Sequence, residues 1–353
     1  MIFVTGGTGL IGSFVLQELR GRGLAVRALY RGSLPDTGPA GVEWVQGDLA
    51  DTYLLSTAIT AEITHVVHCA GLVSYAPQDE DALLQVNVEG TAAVVDACLC
   101  RPAIRLGYVS SVAALGQTAT AGGAAALAAP TPRLLDEAAT WDLGASHSAY
   151  ATSKYLAELE VWRGVAEGLS AVIVNPSIVL GAGNWHRSST QLQRYAYDEH
   201  RFYTPNQINL VDVRDVVAHL LRLTLDLPDL PPARYILNAG VHPLGEVLAM
   251  LAQAFGRRPP SVAVPPWAAE VIWRLEYTRS LLTGARPLIT RDTARAGRQA
   301  VAYDASKAQR TTGLGFRPLA ETVAWLAATL ETNRTARPSV VTWRSSTGLF
   351  SSP

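Results

Sequence analysis

Lysine is almost missing from this chain. Of 29 basic residues in 353, only Lys154 and Lys307 are lysines, and every other cation is an arginine. A lysine that survives such a bias marks a place where a compact, rotatable ammonium has a use that a planar guanidinium cannot serve. Long apolar runs are missing too. Charge or proline interrupts each one before the roughly 18 to 20 residues that a bilayer span requires, so no transmembrane segment is expected. The sequence opens on Met1-Ile2-Phe3-Val4-Thr5, without the charged start, apolar run and small-residue cleavage site of a secretory leader, and a cytoplasmic location is the expectation. Cysteine is scarce. Cys69, Cys98 and Cys100 do not make a disulfide framework, and Cys98-Leu99-Cys100 has no second Cys or His cluster near it in sequence; they read as packing residues, with no metal site expected. An excess of one charge is also absent. The net charge is −1 with no basic run, which argues against nucleic acid as a partner and leaves a small molecule as the expected ligand.

What is present has a clear rhythm. Short apolar runs alternate with longer helical patterns through the first 180 or so residues, the signature of βαβ units in an α/β fold with a parallel sheet. Candidate strands begin at Ile2, Leu24, Val42, His65, Leu106 and Ala171. Between the first two, Phe14, Val15, Leu16 and Leu19 recur at helical spacing beside Gln17, Glu18 and Arg20, predicting a helix laid on one face of the sheet. Residues 118–132 are Thr, Ala, Gly and Pro almost without charge and read as a loop, although the alanines would support a short helix. Ile208 to Val213 reads as a further strand with a helix after it, so the sheet is expected to recruit later segments. An apolar stripe with Trp267, Trp273, Leu281 and Leu282 between 262 and 282 reads as core, as a lid or as a surface helix.

The first strand runs into Gly6-Gly7-Thr8-Gly9-Leu10-Ile11-Gly12. Glycines at this spacing between a strand and a helix let backbone approach a pyrophosphate, and the helix N-terminus supplies N–H groups and a favourable dipole. A carboxylate at the end of the second strand would bind a ribose 2′-hydroxyl; this chain has Tyr30-Arg31 there, and a guanidinium suits a 2′-phosphate. NADP(H) is therefore expected in preference to NAD(H), the plainer alternative for Arg31 being a solvated loop residue. Asp48-Leu49, at the end of the third strand, is placed for the adenine, or is simply a turn.

Tyr108-Val109-Ser110-Ser111 ends a strand in two hydroxyls, and Tyr150 and Lys154 share a face of the next helical pattern, as i and i+4 must. A phenol has an ordinary pKa of about 10, so proton transfer near neutrality needs a cation close by. Lys154 supplies it.

These motifs resemble those of an extended short-chain dehydrogenase/reductase, in the NAD-dependent epimerase/dehydratase group and closest to its dihydroflavonol-4-reductase-like branch. Gly6, Gly9 and Gly12 match the cofactor fingerprint, and Ser111, Tyr150 and Lys154 match the catalytic triad; His68-Cys69-Ala70-Gly71, Asn87-Val88-Glu89-Gly90-Thr91, Asn175-Pro176-Ser177, Val211-Asp212-Val213-Arg214-Asp215 and Gly315-Phe316-Arg317-Pro318 match in order. The resemblance, over about residues 1–330, implies a Rossmann-type doubly wound parallel sheet with a smaller, mostly helical substrate-binding region; the breaks in pattern put the first over 1–183 with 206–240 returning to it and the second in 184–205 and 241–330, while 333–353, a Thr, Arg, Pro and Ser stretch without periodicity, is expected to be a mobile tail. It implies that Tyr150 passes a proton to or from the reacting oxygen, that Ser111 bonds the same oxygen and that Lys154 holds the nicotinamide ribose. Thr8, Leu10, Ile11, Ala70, Gly71, Asn175, Pro176 and Ser177 would line the cofactor, and Asn87 would support the site, its alternative being a backbone-bonding residue. A homodimer is the family's common assembly.

Within the group, sugar dehydratases carry an acidic pair just after the catalytic hydroxyl residue, where this chain has Val112-Ala113. An NADP(H)-dependent reductase of a ketone or aldehyde, or the reverse oxidation of an alcohol, is the leading reading, with an apolar or aromatic substrate. A nucleotide-sugar epimerase using bound NAD stays open, because His186, Arg187, Arg194 and Arg201 would suit a diphosphate or else form a solvated loop. A non-catalytic NADP-binding sensor or scaffold is the remaining alternative.

Overall fold

The computed structural model describes residues 1–32, 34, 40–101, 103–116, 133–183, 185, 190–265, 267–268, 273–274 and 301–336. Its strands are β1 (Ile2–Thr5), β2 (Val26–Tyr30), β3 (Val42–Gln46), β4 (His65–His68), β5 (Arg105–Val109), β6 (Arg133–Leu135), β7 (Ser170–Pro176), β8 (Ile178–Leu180), β9 (Phe202–Tyr203), β10 (Gln207–Asp212), β11 (Ala233–Leu237), β12 (Gly240–Pro243), β13 (Val262–Ala263) and β14 (Val301–Tyr303). The helices are α1 (Leu10–Gly21), α2 (Thr52–Ala58), α3 (Glu80–Leu83), α4 (Gly90–Leu99), α5 (Ala149–Ala166), α6 (Gln191–Tyr197), α7 (Val213–Leu221), α8 (Leu244–Ala254), α9 (Ser306–Thr312) and α10 (Leu319–Ala336).

Seven strands make the central sheet, in the order β11-β7-β5-β4-β1-β2-β3, and every pairing in it is parallel. The order reverses direction at β1 and β4, which opens a crevice at the carboxyl ends of the strands, where α/β sheets bind ligands. A sheet covered on both faces needs strands apolar on both sides. Phe3 and Val66 face a layer built with α2, α4 and α5, while Val4 and Val67 face the opposite layer with α1 and α7. Phe3, Leu16 and Leu19 are wholly buried, each contributing on the order of 1.5–3 kcal/mol from removal of apolar surface. The six strand starts expected from sequence lie within two residues of those observed.

The later part of the chain differs from expectation in one respect. The strand at Gln207–Asp212 does form, but it pairs with β8 and β12 in a separate three-stranded sheet, and the central sheet recruits Ala233–Leu237 instead. Apolar alternation marks a strand without naming its neighbour. Helix α10 continues to Ala336, past the boundary expected at 333, and the rest of the expected tail, 337–353, lies outside the described residues. So do the expected loop over 118–132 and most of 262–282; within the latter Trp267 is 72% exposed, so at that position the stripe is not core. The continuous helical run Pro77–Leu99 is apolar and long enough for a membrane span by composition, but half of it is buried inside the fold.

Candidate active site

The glycine turn is built from close backbone contacts. Gly6 has φ +69, and a Cβ on it would lie 2.4 Å from the Ala70 nitrogen; a Cβ on Gly12 would lie 2.1 Å from the Gly6 carbonyl oxygen. Neither position admits a side chain. Gly9 is exposed and N-caps α1 with no side chain engaging its first turn, and only the Gly6 oxygen comes within 4 Å of a Cβ built on it. The N–H groups of Leu10, Ile11 and Gly12 in this first turn have no side-chain cap, and exposed Thr8 precedes them. The turn fits a pyrophosphate.

Across the sheet from this turn, α5 starts at Ser148, whose hydroxyl accepts the Ala151 N–H at 3.1 Å. That cap fixes where the helix begins. Tyr150 falls in its first turn and Lys154 one turn later, both buried. The Lys154 ammonium donates to the Val109 carbonyl and to the Tyr108 hydroxyl, both at 3.0 Å. Lys154 is therefore fixed at the end of β5, two residues before Ser111. Burial lowers its pKa, opposed by Tyr150, Glu158 and Cys69. Ser111 itself caps a short turn, its Oγ accepting the Ala113 N–H at 3.2 Å. Among the described residues no hydrogen bond to the Tyr150 hydroxyl is found; its ring stands edge-on to Tyr75 at 5.6 Å.

The remaining candidates divide into those near the crevice and those engaged elsewhere. Ala70 and Gly71 follow β4 directly beside Gly6, and a Cβ on Gly71 would lie 3.9 Å from the Lys154 nitrogen. Arg31 meets Asp48 at 3.3 Å, with side chains 73% and 45% exposed. The Asp48 carboxyl is held below its usual range, first by the Ala50 N–H and then by Arg31. Leu49 is buried and packs against Gly90. Asn175 donates to the Ser111 carbonyl at 3.0 Å and to Glu158 at 2.8 Å, while its own Oδ1 is buried without a partner among the described residues. Pro176 ends β7, and the Ser177 hydroxyl donates to Asn238 at 3.0 Å, so its side chain is engaged with the later part of the chain. Asn87 lies in a π-helical stretch, Leu84–Glu89. Its amide donates to the Leu72 carbonyl and Ser153 hydroxyl and its oxygen accepts the Leu72 N–H at 2.7 Å, tying the loop after β4 to α5. Arg194 pairs with Asp198 at 3.2 Å; His186 and Arg187 lie outside the described residues.

Two features escaped the sequence reading. Glu158, one turn past Lys154, is buried at 3% exposure and gathers Ser110 at 2.8 Å, Asn175 at 2.8 Å and Arg234 at 3.3 Å. Arg234 in turn donates to the Glu137 and Ala139 carbonyls, so one buried carboxylate joins β5, β7, β11 and the 137–139 segment beneath Ser111. A glutamate on a mixed helix looks solvated in sequence; its only signal was the i+4 spacing from Lys154. The second is an apolar ledge in the loop after β4, where Val73 and Tyr75 are 42% and 44% exposed and Tyr75 stands edge-on to Tyr150.

Comparison with known proteins bears on the family and the fold. The family described as NAD dependent epimerase/dehydratase family matches residues 2–234. A dihydroflavonol 4-reductase-like protein of Synechocystis sp. is 33% identical over 92% of this chain and 93% of its own length. Among solved structures, gox2253 superposes with a TM-score of 0.77 at 28% identity, covering 94% of this chain and 98% of its own. MoeE5, solved with UDP-glucuronic acid and NAD, superposes with a TM-score of 0.71 at 24% identity over 95% of this chain and 99% of its own, a likeness of fold.

Proposed function

The chain belongs to the NAD-dependent epimerase/dehydratase family, within the extended short-chain dehydrogenases/reductases, and from that premise we propose that this NAD(P)-dependent enzyme is a reductase. In this reading it interconverts an apolar or aromatic ketone or aldehyde with its alcohol and prefers NADP(H). The observation that carries it is Lys154: an ammonium buried at 4% exposure, pinned at the end of β5 by two acceptors, one helical turn from Tyr150 and two residues' distance from Ser111. Burying a cation is costly, and a fold retains one where its charge has a task.

The nicotinamide cofactor, when bound, supplies or accepts the hydride. The turn from Gly6 to Gly12 would hold its pyrophosphate, and Arg31 would meet a 2′-phosphate. Tyr150, with Tyr75 edge-on to its ring, hands its phenolic proton to the carbonyl oxygen as the carbonyl carbon is reduced, or takes it back from the alcohol. Ser111 donates a hydrogen bond to the same oxygen and orients it. Lys154 keeps a positive charge beside the phenol as negative charge develops there. Val112 and Ala113 offer no acid or base for eliminating water, and the exposed Val73 and Tyr75 ledge favours an apolar face on the substrate. The reductase-like relative favours the same class.

The test is loss of NADPH absorbance with a panel of aryl and alicyclic ketones. Turnover is expected with NADPH, and Tyr150→Phe is expected to lower it by about 10²–10⁴-fold. Turnover untouched by Tyr150→Phe contradicts the proton-transfer role; NAD-dependent epimerisation of a nucleotide sugar without net NADPH consumption contradicts the reductase reading.

A further inference from the structure

Where β5 gives way to the Ser111 turn, the side chains under the sheet change from apolar to polar. Tyr108 of β5 and Ile173 of β7 face the layer that α5 covers, so Ser110 and Asn175, each two residues further on, face it too. Both are buried, Asn175 completely, and both reach Glu158. The Ser110 hydroxyl and the Asn175 amide donate to the same carboxylate oxygen, each at 2.8 Å. The other carboxylate oxygen accepts from Arg234 at 3.3 Å and from the Trp162 indole at 3.4 Å. The Asn175 amide also donates to the Ser111 carbonyl at 3.0 Å, which accepts the Ala114 N–H at 3.0 Å as well.

We propose that Asn175 is a positioning residue for Ser111: its amide, oriented by Glu158, holds the Ser111 main chain so that the Ser111 hydroxyl offers its proton to the reacting oxygen. What Ser111 does rests on the reductase reading; what Asn175 does rests on the hydrogen bonds themselves. The orientation of the amide is forced. A carboxylate and a carbonyl only accept, so the NH₂ group must face both and Oδ1 must face away. Turning the amide over would set its oxygen against two acceptors. This accounts for the buried Oδ1 that has no partner among the described residues, an uncommon condition in a folded protein. Both N–H groups are committed inside the protein, and neither is left to donate to a cofactor.

The Ser111 hydroxyl is set by the same logic. Its Oγ accepts the Ala113 N–H at 3.2 Å, which occupies a lone pair on the side of the turn and leaves the O–H to donate elsewhere. The turn alone fixes Ser111 only relative to Ala113 and Ala114. Asn175 ties it to β7, and Glu158, itself held by Arg234 from β11, keeps Asn175 from rotating. A buried network with its donors satisfied is rigid, and a catalytic hydroxyl displaced by about 1 Å costs on the order of 10²-fold in rate.

Hydrogen exchange of the full chain tests the positioning without any turnover. The Ala113 and Ala114 N–H groups both bond to Ser111, so in Asn175→Ala they are expected to exchange about 2–10-fold faster, with β1 and α1 unchanged. Unchanged exchange at these two amides, or the same acceleration throughout the sheet, overturns the proposal. Asn175→Leu, which keeps the volume and removes both donors, takes its place if the alanine variant does not fold. The second arm uses ketone reduction with NADPH. Asn175→Ala is expected to lower kcat by about 10–100-fold while KM for NADPH stays within about threefold. In a Ser111→Ala protein the same substitution is expected to change kcat by less than about twofold, because the group it positions is gone. An equal loss of kcat on both backgrounds shows that Asn175 does not act through Ser111. A wild-type protein that reduces no ketone overturns the reductase reading and leaves the exchange measurement to decide the positioning.

Discussion

Lys154 and Arg31 are cations at the carboxyl end of the same sheet, and they are held in opposite ways. Lys154 is buried, with two fixed acceptors at 3.0 Å. Arg31 is 73% exposed and, among the described residues, has one ion pair, at 3.3 Å, with an exposed aspartate. On the proposed function, the difference separates two tasks. A group acting on a developing charge gains from fixed geometry in a water-poor setting. A group that recognises a charged ligand does not need to be rigid beforehand, and an exposed Arg–Asp pair is easily exchanged for an Arg–phosphate pair.

If that contrast holds, damage should be severe beneath the catalytic end and mild at the adenine end. Glu158→Ala should show the largest effect on stability, a loss of about 3–5 kcal/mol in chemical denaturation, because it leaves Arg234, Ser110 and Asn175 without their shared buried partner. A loss under about 1 kcal/mol would mean that the carboxylate is not the hub its contacts describe.

Acid should act next. An unfolded chain binds a proton at His68 and His219 near pH 6.5, whereas burial holds the folded His68 to about 3 and His219 to about 4. The unfolded state therefore binds more protons throughout that window, and stability, undiminished above pH 6.5, should fall as pH drops through it, by on the order of a few kcal/mol. Denaturation midpoints measured from pH 7.5 down to 4.5 check the sign; a flat or rising profile contradicts it.

Arg31→Ala should be the gentlest. Its stability should change by about 0–1 kcal/mol, while kcat/KM for NADPH relative to NADH should fall about 10–100-fold through lost charge-assisted bonds to the 2′-phosphate. An unchanged ratio assigns Arg31 to solvent.

The same contrast explains what could be read without coordinates. The glycine turn and the Tyr150–Lys154 face were legible because each is local: the fingerprint lies within seven residues and the pair within one helical turn. The strands were legible for the same reason. Pairing was not. Nothing in Ile208–Val213 says that it joins β8 and β12 while Ala233–Leu237 closes the central sheet. The meeting of Glu158 with Ser110 and Arg234 depends on strand order and register across tens of residues; taken alone, each looks like a solvated helix position or an ordinary strand residue.

The scarcity of lysine gives the most direct test of why Lys154 is there. Lys307 donates to the Arg234 carbonyl at 2.9 Å and lies over Tyr235, contacts that a guanidinium would also make. Lys154 is a point donor between two acceptors. Turnover of Lys154→Arg with NADPH and a responsive ketone, measured alongside its circular dichroism, should show a folded protein that has lost most of its activity. Near-normal turnover in that variant would contradict the account.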